Sequence, residues 1–391
     1  MKIITDENKI NELLDRSVLE VIEKESLRKK LLSGKKLKIK LGIDPTSPNL
    51  HLGRAIPLLK LKDFQDLGHE IILIFGDFTG TIGDTSDKES ERPMLDKKTV
   101  IKNMKTYKKQ AGKILNMSRV KIFRNSKWLN KLGYEEIGKQ ADSFSVNEFL
   151  QRDLIKKRLK AGSRISLREF LYPLMQGYDS VKLKADVEIG GSDQKFNILA
   201  GRTLQKTYNQ QPQSVILLGP LLEGNDGRKM SSSWGNTINL LDSPDIMFGK
   251  VMSINDNLIE KYFIHTTRIT KQEYTEILKK GPRDAKLQLA EEIVKKYHDE
   301  EKAKKSKENW IKQFSKKEIP DNLETFKIKK NEMVLDVLLR AGIINSKKEG
   351  KRKISEKAVQ IDGKKITDNF YKLSGKEKII KLGRKMITLK F

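Results

Sequence analysis

The 391-residue sequence holds no cysteine. Disulfides, thiolate nucleophiles and cysteine-ligated zinc are therefore excluded. Histidine is scarce: His51, His69, His265 and His298 stand far apart, and no HExxH or comparable ligand spacing joins them. No apolar run approaches the ~20 residues that a membrane span needs. The mixed acids and lysines of residues 1–11 do not make a secretory signal. No membrane partner is expected, and a cytoplasmic location fits. What the chain has in excess is positive charge, +27 from 79 Lys and Arg against 52 Asp and Glu. Nucleic acid is the commonest partner of so basic a globular chain. Lysine far outnumbers arginine, as in a lysine-rich proteome, so charge alone decides nothing.

Two short runs carry more. In the first, Asp44-Pro-Thr46-Ser-Pro-Asn-Leu-His51-Leu-Gly53-Arg54 follows an apolar strand pattern, Lys38 to Ile43. It opens into an amphipathic helix, Ala55 to Gln65. Thr46 and His51 thus fall where free backbone N–H groups and the helix dipole favour an anion. Gly53 leaves the first turn bare enough for a flat base. The second run, Gly227-Arg228-Lys229-Met230-Ser231-Ser232-Ser233, is a short loop carrying cations and three hydroxyls.

Around these runs strands and helices alternate: strand 38–43, helix 54–67, strand 70–75, strand 185–189, helix 192–207, strand 214–218. Alternation of this kind predicts α/β architecture, a parallel sheet covered by helices on both faces. Residues 6–32 show helical periodicity. A largely helical stretch, 96–178, reads as an insertion, and helices follow from 244 to about 314 with Pro282 starting the longest. Residues 315–331 read as a lysine-rich linker. Residues 332–391 form a separate small α+β region with a basic helix start and an Asp362-Gly363 hairpin turn.

Three further pieces lie near the two runs. Tyr172, Gln176 and Asp179 share one helical face, which suits a polar small-molecule pocket better than a core. Gly190-Gly191-Ser192-Asp193-Gln194 joins a strand to a helix; it fits close approach of a ligand with Asp193 on ribose hydroxyls, or simply a helix cap. Asp84 with Lys88 and Arg92 fits an ammonium and a polyphosphate, or a charged surface loop.

Taken together, these segments resemble the tyrosyl-tRNA synthetase family over the whole chain, with the two runs similar to the HIGH and KMSKS signatures of class I aminoacyl-tRNA synthetases. The resemblance implies a Rossmann-like catalytic domain at 1–240 with the helical insertion at about 96–178, an α-helical anticodon-side domain at 241–320, and an S4-like RNA-binding domain at 332–391. It implies L-tyrosine, ATP with Mg²⁺ and tRNA(Tyr) as partners, and a homodimer formed through the inserted helices. By the same resemblance Thr46 and His51 hold phosphates, Gly53 and Asp193 lie at the adenosine, and Asp44, Gly191, Lys229 and Met230 belong to the ATP site. Lys88, Arg92 and Lys229 are cations that assist pyrophosphate departure, and Ser231 is a further catalytic residue. Asp84, Tyr172 and Gln176 take the amino-acid ammonium, Gln194 lies near its carboxylate, and Asp179 accepts from the phenol. Such a reaction needs no enzyme nucleophile, because the tyrosine carboxylate attacks the α-phosphate and catalysis is positioning plus charge stabilisation.

Three positions depart from the commonest pattern. Lys40 stands where many members face the phenol with a second tyrosine. Arg54 replaces the last histidine of the first signature, a permanent planar cation in place of a weakly basic ring. Ser232 replaces the second lysine of the loop, and Arg54 or Arg228 is the candidate source of the missing charge. Two rivals follow, a tryptophanyl-tRNA synthetase and a synthetase-derived RNA-binding protein without catalysis.

Overall fold

The computed structural model describes residues 2–85, 94–314, 323–329, 331–375, 379–383 and 385–390. Two compact units divide it, Met1–Glu308 and Asn309–Phe391.

The first unit is built on a six-stranded sheet. Its strands are β1 (Val18–Ile22), β2 (Lys38–Ile43), β3 (Glu70–Phe75), β4 (Val120–Arg124), β5 (Val187–Gly191) and β6 (Ser214–Leu218), in the order β1-β6-β5-β2-β3-β4. From β6 to β4 every pairing is parallel. The central strands are continuous apolar runs, as double-sided burial requires; Ile39, Ile71, Leu73, Val187 and Ile216 are fully buried. The chain order reverses between β2 and β5, so the carboxyl ends of these strands form the crevice where open α/β sheets bind ligands.

Two expectations for this sheet need correction. Residues 6–32 are not helical throughout: helix α1 (Glu7–Asp15) and helix α2 (Lys24–Leu32) flank β1, which pairs antiparallel with β6. Ser17 (φ 59°) and Glu23 (φ 66°) take left-handed conformations that break the helix on either side. Neither residue is a glycine that would advertise the break. Residues 96–178 are likewise not all insertion, since β4 lies within them and completes the sheet edge against β3.

Helix α3 (Leu52–Asp66) follows β2; it starts two residues before the expected 54–67 helix and ends one residue short of it. Helix α4 (Arg168–Leu183) crosses α5 (Lys195–Thr207) closely. A Cβ on Gly177 would meet the backbone of Ala200 and Gly201 at 3.0 Å, so glycine permits the approach. Short helices occupy 97–160 on both sides of β4. After Asp242 the unit is helical, including α6 (Pro282–Tyr297), which starts on its proline.

The second unit has a five-stranded sheet, β7 (Thr325–Lys327), β8 (Val359–Ile361), β9 (Lys364–Lys365), β10 (Ile379–Leu382) and β11 (Lys385–Lys390), ordered β7-β11-β10-β8-β9. Helices α7 (Val334–Arg340) and α8 (Lys347–Ser355) pack on it over a core that includes Val334, Leu338, Ile354, Val359 and Ile380. Asp362 (φ 46°) and Gly363 (φ 81°) make the tight turn between β8 and β9. Strand β7 lies inside the segment read as linker, where pairing with β11 orders it.

Candidate active site

A cavity of about 610 Å³ opens at the carboxyl ends of β2 and β5. Asp44, Thr46, His51, Gly53 and Arg54 line it from the start of α3, and Tyr172, Gln176 and Asp179 from α4. Asp84 and the 190–194 turn face it from one side; Lys229, Met230 and Ser231 to Ser233 face it from the loop after β6. The segments singled out in the sequence therefore converge on one site. Lys88 and Arg92 lie outside the described residues.

At the α3 end, Leu52 N–H donates to the Ile238 carbonyl and His51 bridges to Asn239, which fixes the helix start. Burial, then Arg54 and Lys229, hold the His51 imidazole far below its usual pKa, at about 3. It is neutral at physiological pH, and its buried Nδ1 has no hydrogen-bond partner. The ring lies over Gly53, where a Cβ would come within 3.2 Å of it. Arg54 donates to Thr46 Oγ1 at 2.8 Å and to the Tyr107 hydroxyl at 3.2 Å. Its guanidinium thus lies beside the hydroxyl expected to meet phosphate.

The inner end is polar and buried. Trp128 Nε1 donates to Asp179 Oδ1 at 2.7 Å, and Asn125 Nδ2 to Oδ2 at 3.2 Å. Burial raises Asp179 to about 7, against the opposing pull of the Lys40 charge and these two donors. Tyr172 and Thr79 donate their hydroxyls to the two oxygens of Asp44, at 2.8 and 2.7 Å. Gln176 donates to Glu188 at 3.1 Å. Gln194 donates to Asp84 at 2.6 Å, so the expected ammonium and carboxylate groups are already coupled.

Lys40 requires a correction. Its side chain is fully buried and does not line the cavity. The ammonium pairs with Glu188 at 2.9 Å and donates to Ser180 Oγ and the Gln176 carbonyl. It sits behind the pocket wall because position 40 faces α4, not the crevice.

In the 190–194 turn the helix-cap alternative is not observed: neither Ser192 nor Asp193 side chain caps, and α5 begins only at Lys195. Asp193 instead pairs with Lys229 at 2.9 Å. Ser232 Oγ approaches Ser47 Oγ at 3.4 Å, which brings the loop onto the Thr46 turn. Arg228 is bound twice by Asp226, at 2.7 and 2.9 Å, and stacks on Trp234. It does not line the cavity.

The sequence reading missed Thr79, Asn125, Trp128 and Glu188. A signal existed only for Glu188, an acid inside the apolar run of β5 that matches the lone internal lysine of β2. The others follow β3 and β4 with no motif around them.

A family model described as "tRNA synthetases class I (W and Y)" matches residues 32–315, and one for a "Tyrosine--tRNA ligase SYY-like C-terminal domain" matches 313–388. The tyrosine–tRNA ligase of Thermotoga maritima is 44% identical over 381 residues, covering 95% of each chain. The chain belongs to the tyrosine–tRNA ligase family. The tyrosine–tRNA ligase of Carboxydothermus hydrogenoformans is similarly close, 45% identical over 96% of this chain and 95% of its own. Among solved structures, a C-terminally truncated mitochondrial tyrosyl-tRNA synthetase of Coccidioides posadasii is 25% identical. It has a TM-score of 0.63 and covers 78% of this chain and 92% of its own. The tyrosyl-tRNA synthetase of Archaeoglobus fulgidus complexed with L-tyrosine, 24% identical with a TM-score of 0.60 over 77% of this chain and 99% of its own, shares the fold. Membership makes the chain a class I aminoacyl-tRNA synthetase, and the tryptophanyl reading is not favoured.

Proposed function

We propose that the cavity activates L-tyrosine with ATP and that the resulting tyrosyl-adenylate is passed to the 3′-terminal adenosine of tRNA(Tyr). The observation that carries this is one cavity with two chemically distinct ends: a buried carboxylate held by Trp128 and Asn125, and a helix start flanked by cations. Asp179 receives the phenol, and Asp84, Tyr172 and Gln176 surround the ammonium with Asp44 behind them. Thr46, His51 and Lys229 meet the phosphates; Gly53, Gly191, Asp193 and Met230 meet the adenosine. Neutral His51 acts as a hydrogen-bonding ring, not as a cation.

Arg54 supplies the charge that Ser232 lacks. Its guanidinium lines the cavity and touches Thr46, whereas Arg228 is engaged by Asp226. Among the described residues no group of three or more acids and histidines offers a metal site. Mg²⁺ bound with ATP would supply neutralisation of the charge that develops on the phosphates.

The second unit binds tRNA through the outer face of α8, where Lys348, Lys351 and Arg352 are exposed. Residues 1–240 are the catalytic domain and 241–320 its anticodon-side companion, helical in the elements from Pro244 to Phe314. Exposed apolar side chains at Tyr134, Val146, Leu159 and Leu167 support a homodimer through the inserted helical region at about 96–178. A cytoplasmic location follows the tRNA. Among the described residues no helix is long and apolar enough to cross a membrane.

Amino-acid-dependent ATP–pyrophosphate exchange with tyrosine, tryptophan and phenylalanine in parallel tests the proposal. Exchange with tyrosine alone is expected. Exchange with tryptophan would overturn the pocket assignment, and none with any of the three would favour the non-catalytic RNA-binding reading.

A further inference from the structure

Behind the inner wall of the cavity lies a buried charge pair that the proposed reaction does not use. Lys40 on β2 and Glu188 on β5 are in register and 2.9 Å apart, each at most 1% exposed. Glu188 also accepts from Gln176 Nε2 at 3.1 Å, Ser180 Oγ at 2.8 Å and Gln213 Nε2 at 2.5 Å. Lys40 donates to Ser180 Oγ at 2.6 Å and to the Gln176 carbonyl at 3.1 Å. These two α4 groups lie one turn apart with Asp179 between them. Desolvation makes such a pair a poor source of stability compared with an apolar pair of similar volume, so stability alone does not account for it.

We propose that Lys40 and Glu188 are positioning residues for amino-acid selection: Lys40 pins the α4 turn that presents Gln176 and Asp179, and its charge stands behind the carboxyl that meets the phenol. The inference rests on the reading of Asp179 as the phenol's partner. The groups around Asp179 fit it. Lys40 from β2 opposes the effect of burial, Trp128 and Asn125 beyond β4 donate, and Glu188 from β5 adds a weaker anionic push the other way. Tyr172 on the same helix, with Asp44 and Asp84 beyond it, adds only a neutral hydroxyl and further anions. Without Lys40 the inner end loses the cation that opposes the burial of Asp179, and a protonated Asp179 no longer distinguishes a phenol by accepting from it.

The test is tyrosine-dependent pyrophosphate exchange from pH 5.5 to 9 with Lys40→Met/Glu188→Gln, whose neutral pair retains amide hydrogen bonding at position 188. The acid limb of kcat/KM for tyrosine is expected to move up by about one pH unit. Activity at pH 7 then falls about fivefold, since the ionised fraction drops from about a half to about a tenth. The deficit relative to the unmodified enzyme should narrow at pH 9, and preference over phenylalanine should weaken at pH 7. A deficit constant across pH would mean a purely structural role and would overturn the proposal, as would an unchanged profile. Glu188→Gln alone, which keeps the Lys40 charge, supplies the opposite sign. Its acid limb should move down, and an upward or absent shift would count against the proposal even if the double variant does not fold. Asp179→Asn run alongside separates the two levels. If that change leaves tyrosine exchange intact, the phenol assignment itself is wrong. If it abolishes selectivity while the double variant keeps the original pH profile, only the Lys40–Glu188 inference fails.

Discussion

Asp179→Asn is the most informative single change, because the structure fixes what the new amide meets. The carboxylate takes Trp128 Nε1 on one oxygen and Asn125 Nδ2 on the other. An amide has one oxygen, so its NH₂ must face one of these donors. Asn125 cannot turn its own oxygen inward without loss, since that Oδ1 already accepts from Phe78 N–H and its Nδ2 also donates to Thr79. Trp128 Nε1 can only donate, so the amide oxygen stays on it, the NH₂ meets Asn125 Nδ2, and the phenol of tyrosine loses a charged acceptor. A hydrogen bond to a charged group contributes about 1.5–3 kcal/mol, which converts to a loss of about 10- to 150-fold in kcat/KM for tyrosine. Phenylalanine makes no such bond and should be little affected, so the tyrosine-to-phenylalanine ratio in pyrophosphate exchange falls by a similar factor. The effect has a pH signature. Asp179 is pushed up to about 7, so the unmodified enzyme loses its advantage as pH falls below that value and the two enzymes converge near pH 5.5. An unchanged tyrosine-to-phenylalanine ratio at pH 8, in a variant that melts like the original, would refute this reasoning.

Arg54→Ala should lower the maximal exchange rate by about 2–4 kcal/mol of transition-state stabilisation, roughly 30- to 1000-fold, with little change in the KM for tyrosine. Arg228→Ala should do almost nothing, and equal effects of the two would contradict the contacts that separate them. His51 is held neutral to about pH 3 in the folded chain but titrates near 6.5 when unfolded. The unfolded state then binds the extra proton, so stability is lost as pH falls through that window, by up to about 1.4 kcal/mol per unit. Urea midpoints at pH 7.5 and 5 should show a shallower decline for His51→Gln. In the second unit, Lys348→Gln with Lys351→Gln should reduce the slope of log affinity for tRNA against log salt by about 2 if both meet phosphate. A slope unaltered in filter binding would remove α8 from the RNA interface.

Much of the site was legible because its pieces are local. A strand that ends at Asp44 and a helix that starts near His51 make an anion site within one stretch of chain, and the loop hydroxyls and Lys229 likewise sit in a single run. Tyr172, Gln176 and Asp179 share a face by helical spacing alone. Other parts depend on partners far along the chain. Trp128 and Asn125 reach Asp179 across more than 50 residues, and β4, which delivers them, is a short, half-exposed edge strand among lysine-rich helices. Strand β1 hides within helical periodicity because its boundaries are set by left-handed Ser17 and Glu23, not by glycine or proline.

The α/β alternation, the separate basic unit at the end and the grouping of anion-binding and loop residues are written in the chain locally, since each follows from periodicity, turn chemistry or a contiguous motif. That β1 runs antiparallel and that β4 closes the sheet depends on long-range packing. It alone turned Lys40 away from the cavity and onto Glu188, and gave Asp179 its two donors. Those outcomes turn on which face of a strand meets which helix. A period of two cannot specify that until both neighbours are in place.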